Sequence, residues 1–69
     1  MLERGDIVKY VGYEKPDGRN GYCLRAGAVG IVQRAFLRGG QYRVCVQFFA
    51  DVVDEPWTLK DYEVEKVTT

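Results

Sequence analysis

Gln41-Tyr42-Arg43-Val44-Cys45-Val46-Gln47-Phe48, or QYRVCVQF, alternates between two kinds of side chain with a strict period of two. Tyr42, Val44, Val46 and Phe48 share one face, and Arg43, Cys45 and Gln47 the other, as in a strand with one side buried. The first set is expected to be core. Just before it, Leu37-Arg38-Gly39-Gly40-Gln41 reverses the chain, because a Gly-Gly pair supplies the backbone freedom of a tight hairpin. The segment upstream, AGAVGIVQRAF, then provides the partner strand, predicted over Ala28–Phe36. Gly30 lies between Val29 and Val32, where a glycine inside a strand signals a bulge or a sharp bend.

Further toward the N-terminus, Gly5-Asp6 precedes Ile7-Val8-Lys9-Tyr10-Val11, a first strand with Val8 and Tyr10 on one face and Lys9 on the other; Gly12 ends it. Between these strands, YEKPDGRNGYCLR (Tyr13–Arg25) holds Pro16-Asp17-Gly18 and Asn20-Gly21, both turn signals, and reads as a long loop. Loops of that length in small domains commonly form binding surfaces. Downstream, Asp54, Glu55 and Pro56 break the ladder. A fourth strand follows at Trp57-Thr58-Leu59, then a 3₁₀ turn at Lys60–Tyr62 and a fifth strand around Glu63–Val67. The expected fold is all-β, a single domain over residues 1–69, with five short strands in a closed or nearly closed small barrel that removes exposed sheet edges.

The chain has 69 residues, 46% of them hydrophobic and 13% aromatic, too apolar for a disordered segment. A chain this short buries only about 60% of its unfolded surface, so most apolar residues are committed to the core. No apolar run approaches the ~20 residues of a membrane span. MLERGD lacks the basic start and apolar centre of a secretory signal, which makes the cytoplasm the expected location.

Cys23 and Cys45 are the only cysteines and there is no histidine, so no metal ligand set is expected, and no cofactor. In a reducing compartment each cysteine reads as a small buried hydrophobe, whereas a Cys23–Cys45 bridge would need an oxidising one. The chain also lacks serine and any Gly-rich phosphate loop, so catalysis is not expected. Asp54-Glu55 and the Glu63/Glu65 pair read as solvated faces rather than acid–base groups.

Charge is unevenly distributed. Residues 19–43 carry five arginines and no acid, whereas residues 44–69 carry two lysines against six acids; the whole chain is neutral. A basic segment interleaved with aromatics suits nucleic acid, through Arg34, Arg38 and Arg43 on phosphates and Phe36 or Tyr42 under a base. Cross-strand pairing with the acids would cancel that patch.

With the strands placed, the pattern resembles the SH3-like small barrels. Arg4-Gly5-Asp6 with Val8, VGIV at Val29–Val32, YRVCVQF at Tyr42–Phe48 and Leu59…Tyr62-Glu63-Val64-Glu65-Lys66-Val67 are similar to the small SH3-like barrel proteins of photosystem I and their cyanobacterial and plastid relatives. The loop Pro16–Gly21 and Glu55-Pro56-Trp57 depart from that family, so the resemblance implies its fold and not a photosynthetic role. Gly5-Asp6-Ile7-Val8 with Gly27–Val32 is similar to KOW-type barrels of ribosomal and transcription proteins, and RGDIV opens the MazF-like toxins. An SH3-like barrel implies that its first loop, hairpin tip and later loop lie near one another.

Those loops hold Tyr13, Arg19, Tyr22, Arg25, Arg38 and Trp57, residue types that dominate interface hot spots. The leading expectation is a non-enzymatic module that binds a larger protein through these residues, as an assembly factor, regulator or inhibitor, including the kind phages and plasmids encode. The alternative is a KOW-like RNA-, DNA- or ribosome-binding module using Arg34, Phe36, Arg38 and Arg43. Trp57 is open between core and interface, and Tyr62 is expected in the core.

Overall fold

A computed structural model of the chain describes residues 2–16, 23–51 and 56–67. They form five strands: β1 (Ile7–Tyr10), β2 (Val29–Arg38), β3 (Gln41–Phe48), β4 (Trp57–Lys60) and β5 (Val64–Lys66), with a 3₁₀ turn at Asp61–Glu63 before β5. All neighbours are antiparallel, in one sheet of order β4-β3-β2-β1-β5. The sheet is open rather than closed into a barrel, with β4 and β5 at its edges. Those edges are short and charged, of four and three residues with Lys60, Glu65 and Lys66, which discourages pairing with other chains.

Alternation decides what the sheet buries. Val8 and Tyr10 of β1, Val32 of β2, Val44, Val46 and Phe48 of β3, Leu59 of β4 and Val64 of β5 all point to one side, and together with Leu24 of the first loop they are the core. Leu24 reaches it because Lys15 and Leu24 exchange two backbone hydrogen bonds of 2.8 and 3.1 Å, which pin the base of the loop. The edge-to-face packing of Tyr10 on Phe48, with ring centroids 6.3 Å apart, ties β1 to β3 across the intervening strand.

β2 and β3 meet in the expected two-residue hairpin. Gly39 and Gly40 take φ of 58° and 79°, the left-handed pair of a type I′ turn that matches the twist of the strands. The expected distortion of β2 is present but lies elsewhere: pairing shifts between Val32 and Arg34, so the bulge is at Gln33 and not at Gly30. Gly30 is glycine because β3 passes too close; a Cβ there would stand 2.5 Å from the Gln47 carbonyl oxygen and 2.9 Å from the Phe48 Cα.

The bulge resets which residues face the core. Gly30 and Val32 are buried before it, and Ala35, opposite Val44, packs on the core after it. Arg34 and Phe36 therefore stand on the outer face, opposite Cys45 and Arg43. Were strict alternation to continue from Val32 with no bulge, both would point inward.

Other expectations are corrected. Tyr42 keeps the inward parity of β3 yet is 39% exposed, because the β2–β3 hairpin runs past the end of the core; its partner Leu37 is 59% exposed for the same reason. Tyr62, expected in the core, sits on the 3₁₀ turn, none of whose residues is buried, and is 67% exposed. Both cysteines are free and half-buried rather than buried; Cys45 lies on the outer face with its Sγ 3.7 Å from Thr58 Oγ1. Among the described residues no helix is long and apolar enough to cross a membrane.

Candidate functional site

The first loop and the 3₁₀ turn line a groove together because a buried tyrosine joins them. Tyr10, the last residue of β1, is fully buried, and its hydroxyl donates to the backbone carbonyl of Tyr13. Gly12 makes that reach possible: a Cβ there would lie 2.7 Å from the Tyr10 hydroxyl oxygen. Glu63, at the end of the turn, brings Oε2 to 3.5 Å from the same hydroxyl and to 3.2 Å from the Lys15 ammonium, while Oε1 accepts the Lys60 backbone N–H at 2.9 Å. One carboxylate thus ties the loop, the strand end and the turn together.

The electrostatics follow from this arrangement. Burial pushes the Glu63 carboxyl up, but the Lys60 N–H and the Lys15 ammonium outweigh it and hold the group below its usual 4.5. The hydrogen bond to Glu63 pushes Lys15 above 10.5 against the opposing effect of burial. Burial pushes the Tyr10 phenol above 10.0, with the nearby Glu63 charge adding to it and Lys15 opposing. Glu63 is thus a structural anion and not the solvated strand residue expected from the sequence.

Against this frame, Val11, Gly12 and Tyr13 line one part of the groove and Lys60, Tyr62 and Glu63 the other, around a volume of about 670 Å³. Tyr13 is 94% exposed, and the Lys60 ammonium lies 5.7 Å from the centre of the Tyr62 ring. Two exposed aromatic rings line the trough, which offers apolar contact area with few torsions to freeze.

Of the protein-binding candidates among the described residues, only Tyr13 lines this groove. Arg25 is exposed and holds Glu14 at 2.8 Å, an ion pair that braces the stem of the loop. Arg38 ends β2, with the whole strand between it and Arg25, so the first loop and the hairpin tip are not gathered as the resemblance implied. Trp57 is half-buried opposite Val46, packs on the core and donates its indole N–H to Asp51 at 3.0 Å. It serves the core side. Arg19 and Tyr22 lie outside the described residues. Sequence reading missed Val11, Lys60, Tyr62 and Glu63; the spacing Tyr10…Tyr13 and Lys60…Glu63, both i to i+3, was the available signal.

The nucleic-acid candidates meet more fully. Phe36, Arg43 and Lys60 form a row across β2, β3 and β4, and the Arg34 guanidinium lies 4.8 Å over the Phe36 ring. Arg43 is half-buried and donates to Gln41 Oε1 at 3.2 Å.

Comparison with protein-family models, with curated proteins and with solved structures finds no match to this chain.

Proposed function

We propose that this chain is a non-catalytic interaction module that receives an extended segment of a larger protein in the groove between Tyr13 and Tyr62, acting as an assembly factor, regulator or inhibitor. The observation that carries this reading is a pair of exposed tyrosines on rigid walls. The walls are held by the Tyr10–Glu63–Lys15 cluster, so binding requires little ordering of the site. The chain's lack of histidine and serine favours binding over catalysis. The strand order and the 3₁₀ turn before β5 support its kinship with SH3-like small barrels.

Peptides selected from a displayed library on the immobilised chain test the proposal. Segments with apolar residues spaced to meet two rings should be enriched, and Tyr13→Ala and Tyr62→Ala should each weaken the selected peptide at least fivefold, from roughly 1 kcal/mol per aromatic anchor. Both side chains are solvent-exposed, so the thermal midpoint should not move. A selected peptide that binds both variants as tightly as the natural chain removes the groove from the function.

A further inference from the structure

The neutral net charge conceals a strict segregation. β2, β3 and β4 contain Arg34, Arg38, Arg43 and Lys60 and not one acidic residue. The acids that form ion pairs among the described residues take their partners elsewhere: Asp6 from Lys66, Glu14 from Arg25, Glu63 from Lys15 and Glu65 from Lys9. Among the described residues Arg34, Arg38 and Arg43 make no ion pair. Cross-strand neutralisation occurs on the outer face between β1 and β5, at Lys9 and Glu65, and among the described residues does not extend to the arginines of β2 and β3.

That face is also shaped. Adjacent strands lie ~4.8 Å apart, so the row Phe36–Arg43–Lys60 spans about 10 Å. Arg34 lies over one side of the Phe36 ring, and Arg43 stands opposite Phe36 on β3. Arg4 extends the cations past the bulge, where it lines a depression with Leu2, Gln33, Arg34, Ala35 and the one acid there, Glu3. Fixed cations beside a partly open aromatic are what a flexible polyanion with planar side groups requires, since phosphates bind the guanidinium groups and a base stacks on the ring.

We propose that the outer face of β2–β4 binds single-stranded nucleic acid, with Arg34, Arg38 and Arg43 on phosphates and Phe36 as the stacking platform. The bulge at Gln33 creates this site by turning Arg34 and Phe36 outward. The site stands apart from the Tyr13–Tyr62 groove, and only Lys60 borders both. Single strands are favoured over duplexes because a half-buried ring on a strand can meet an unpaired base and cannot enter a closed stack.

The test uses the full chain and a fluorescent oligothymidylate of twelve nucleotides, followed by anisotropy. Three phosphate contacts on a single strand give a slope of log affinity on log salt of about −2, so a fourfold rise in salt weakens binding roughly 20-fold. Arg34→Gln with Arg43→Gln should bring the slope to about −0.7. Phe36→Leu, which preserves apolar bulk, should cost at least fivefold, and Phe36→Tyr should restore binding. No binding at low salt overturns the proposal, as does a salt slope unchanged in the double variant. Equal affinity for an oligoglutamate of the same charge, with indifference to Phe36→Leu, assigns the face to an acidic protein instead, and tighter binding of duplex than of single strand also refutes it.

Discussion

Replacing Glu63 by Gln removes one negative charge while keeping an oxygen to accept the Lys60 N–H. What is lost is the charge-assisted contact to Lys15 at 3.2 Å. A hydrogen bond to a charged group contributes about 1.5–3 kcal/mol when protected from water. The Glu63 side chain is 16% exposed but that of Lys15 is 40% exposed, so solvent reduces the expected loss to about 1–1.5 kcal/mol. For a domain of this size each kilocalorie moves the midpoint by about 4–8 °C, giving a fall of about 4–12 °C at neutral pH.

The pH dependence separates this cause from a general loss of packing. A carboxyl held below its usual 4.5 stabilises the fold above that pH, and the contribution disappears as pH falls through the lowered native value. Natural chain and Glu63→Gln should therefore differ at pH 7 and converge as the acid range is entered. Thermal or urea unfolding at a series of pH values, followed by Trp57 fluorescence, measures both. Equal stability at pH 7, or a gap that persists unchanged below the native titration, would refute the keystone role of Glu63.

Gly30→Ala should cost about 1–3 kcal/mol, because the new methyl meets β3 backbone atoms that cannot rotate away; a urea midpoint within error of the natural chain would show that β2 and β3 are not so close. Deleting Gln33 should straighten β2 while Arg34 stays opposite Cys45 and Ala35 opposite Val44, so cooperative unfolding should survive; loss of a sharp thermal transition in the deletion variant would disprove the parity argument. At high pH the raised Tyr10 and Lys15 groups stabilise the fold only while protonated, so stability should hold below about pH 10 and fall as pH rises through their native values. Phenolate absorbance should show Tyr10 ionising above the usual 10.0 or only with unfolding; a Tyr10 phenol that ionises at its usual value in the folded chain would contradict its burial.

The strands were legible because alternation is local. QYRVCVQF announces β3, IVKY announces β1, and Gly39-Gly40 can serve only as a turn of positive φ, so these features match their expectations closely. The interior of β2 was less legible. VGIVQRAFLR carries no mark that its alternation changes at Gln33, since a register shift is a relation between two strands, and Gly30 looked like the distortion because glycine serves both bends and close approach. Tyr42 and Tyr62 were misread for a related reason: neither the parity of Tyr42 nor the apolar ring of Tyr62 tells whether the core extends far enough to cover it.

The sequence by itself determined an all-β chain, the pairing of β2 with β3, and the inward set Val8, Tyr10, Val44, Val46 and Phe48, because period and turn chemistry act over a few residues. Only the tertiary structure decided that Glu63 ties Tyr10 and Lys15 together, that Tyr13 lines a groove with Tyr62, and that Arg34, Arg38 and Arg43 make no ion pair among the described residues. Each of these depends on which distant residues the sheet brings within a few ångströms. Formal charge counts the lysines and acids of the chain together; the fold pairs them at β1, β5 and the first loop, and leaves the arginines of β2 and β3 facing water.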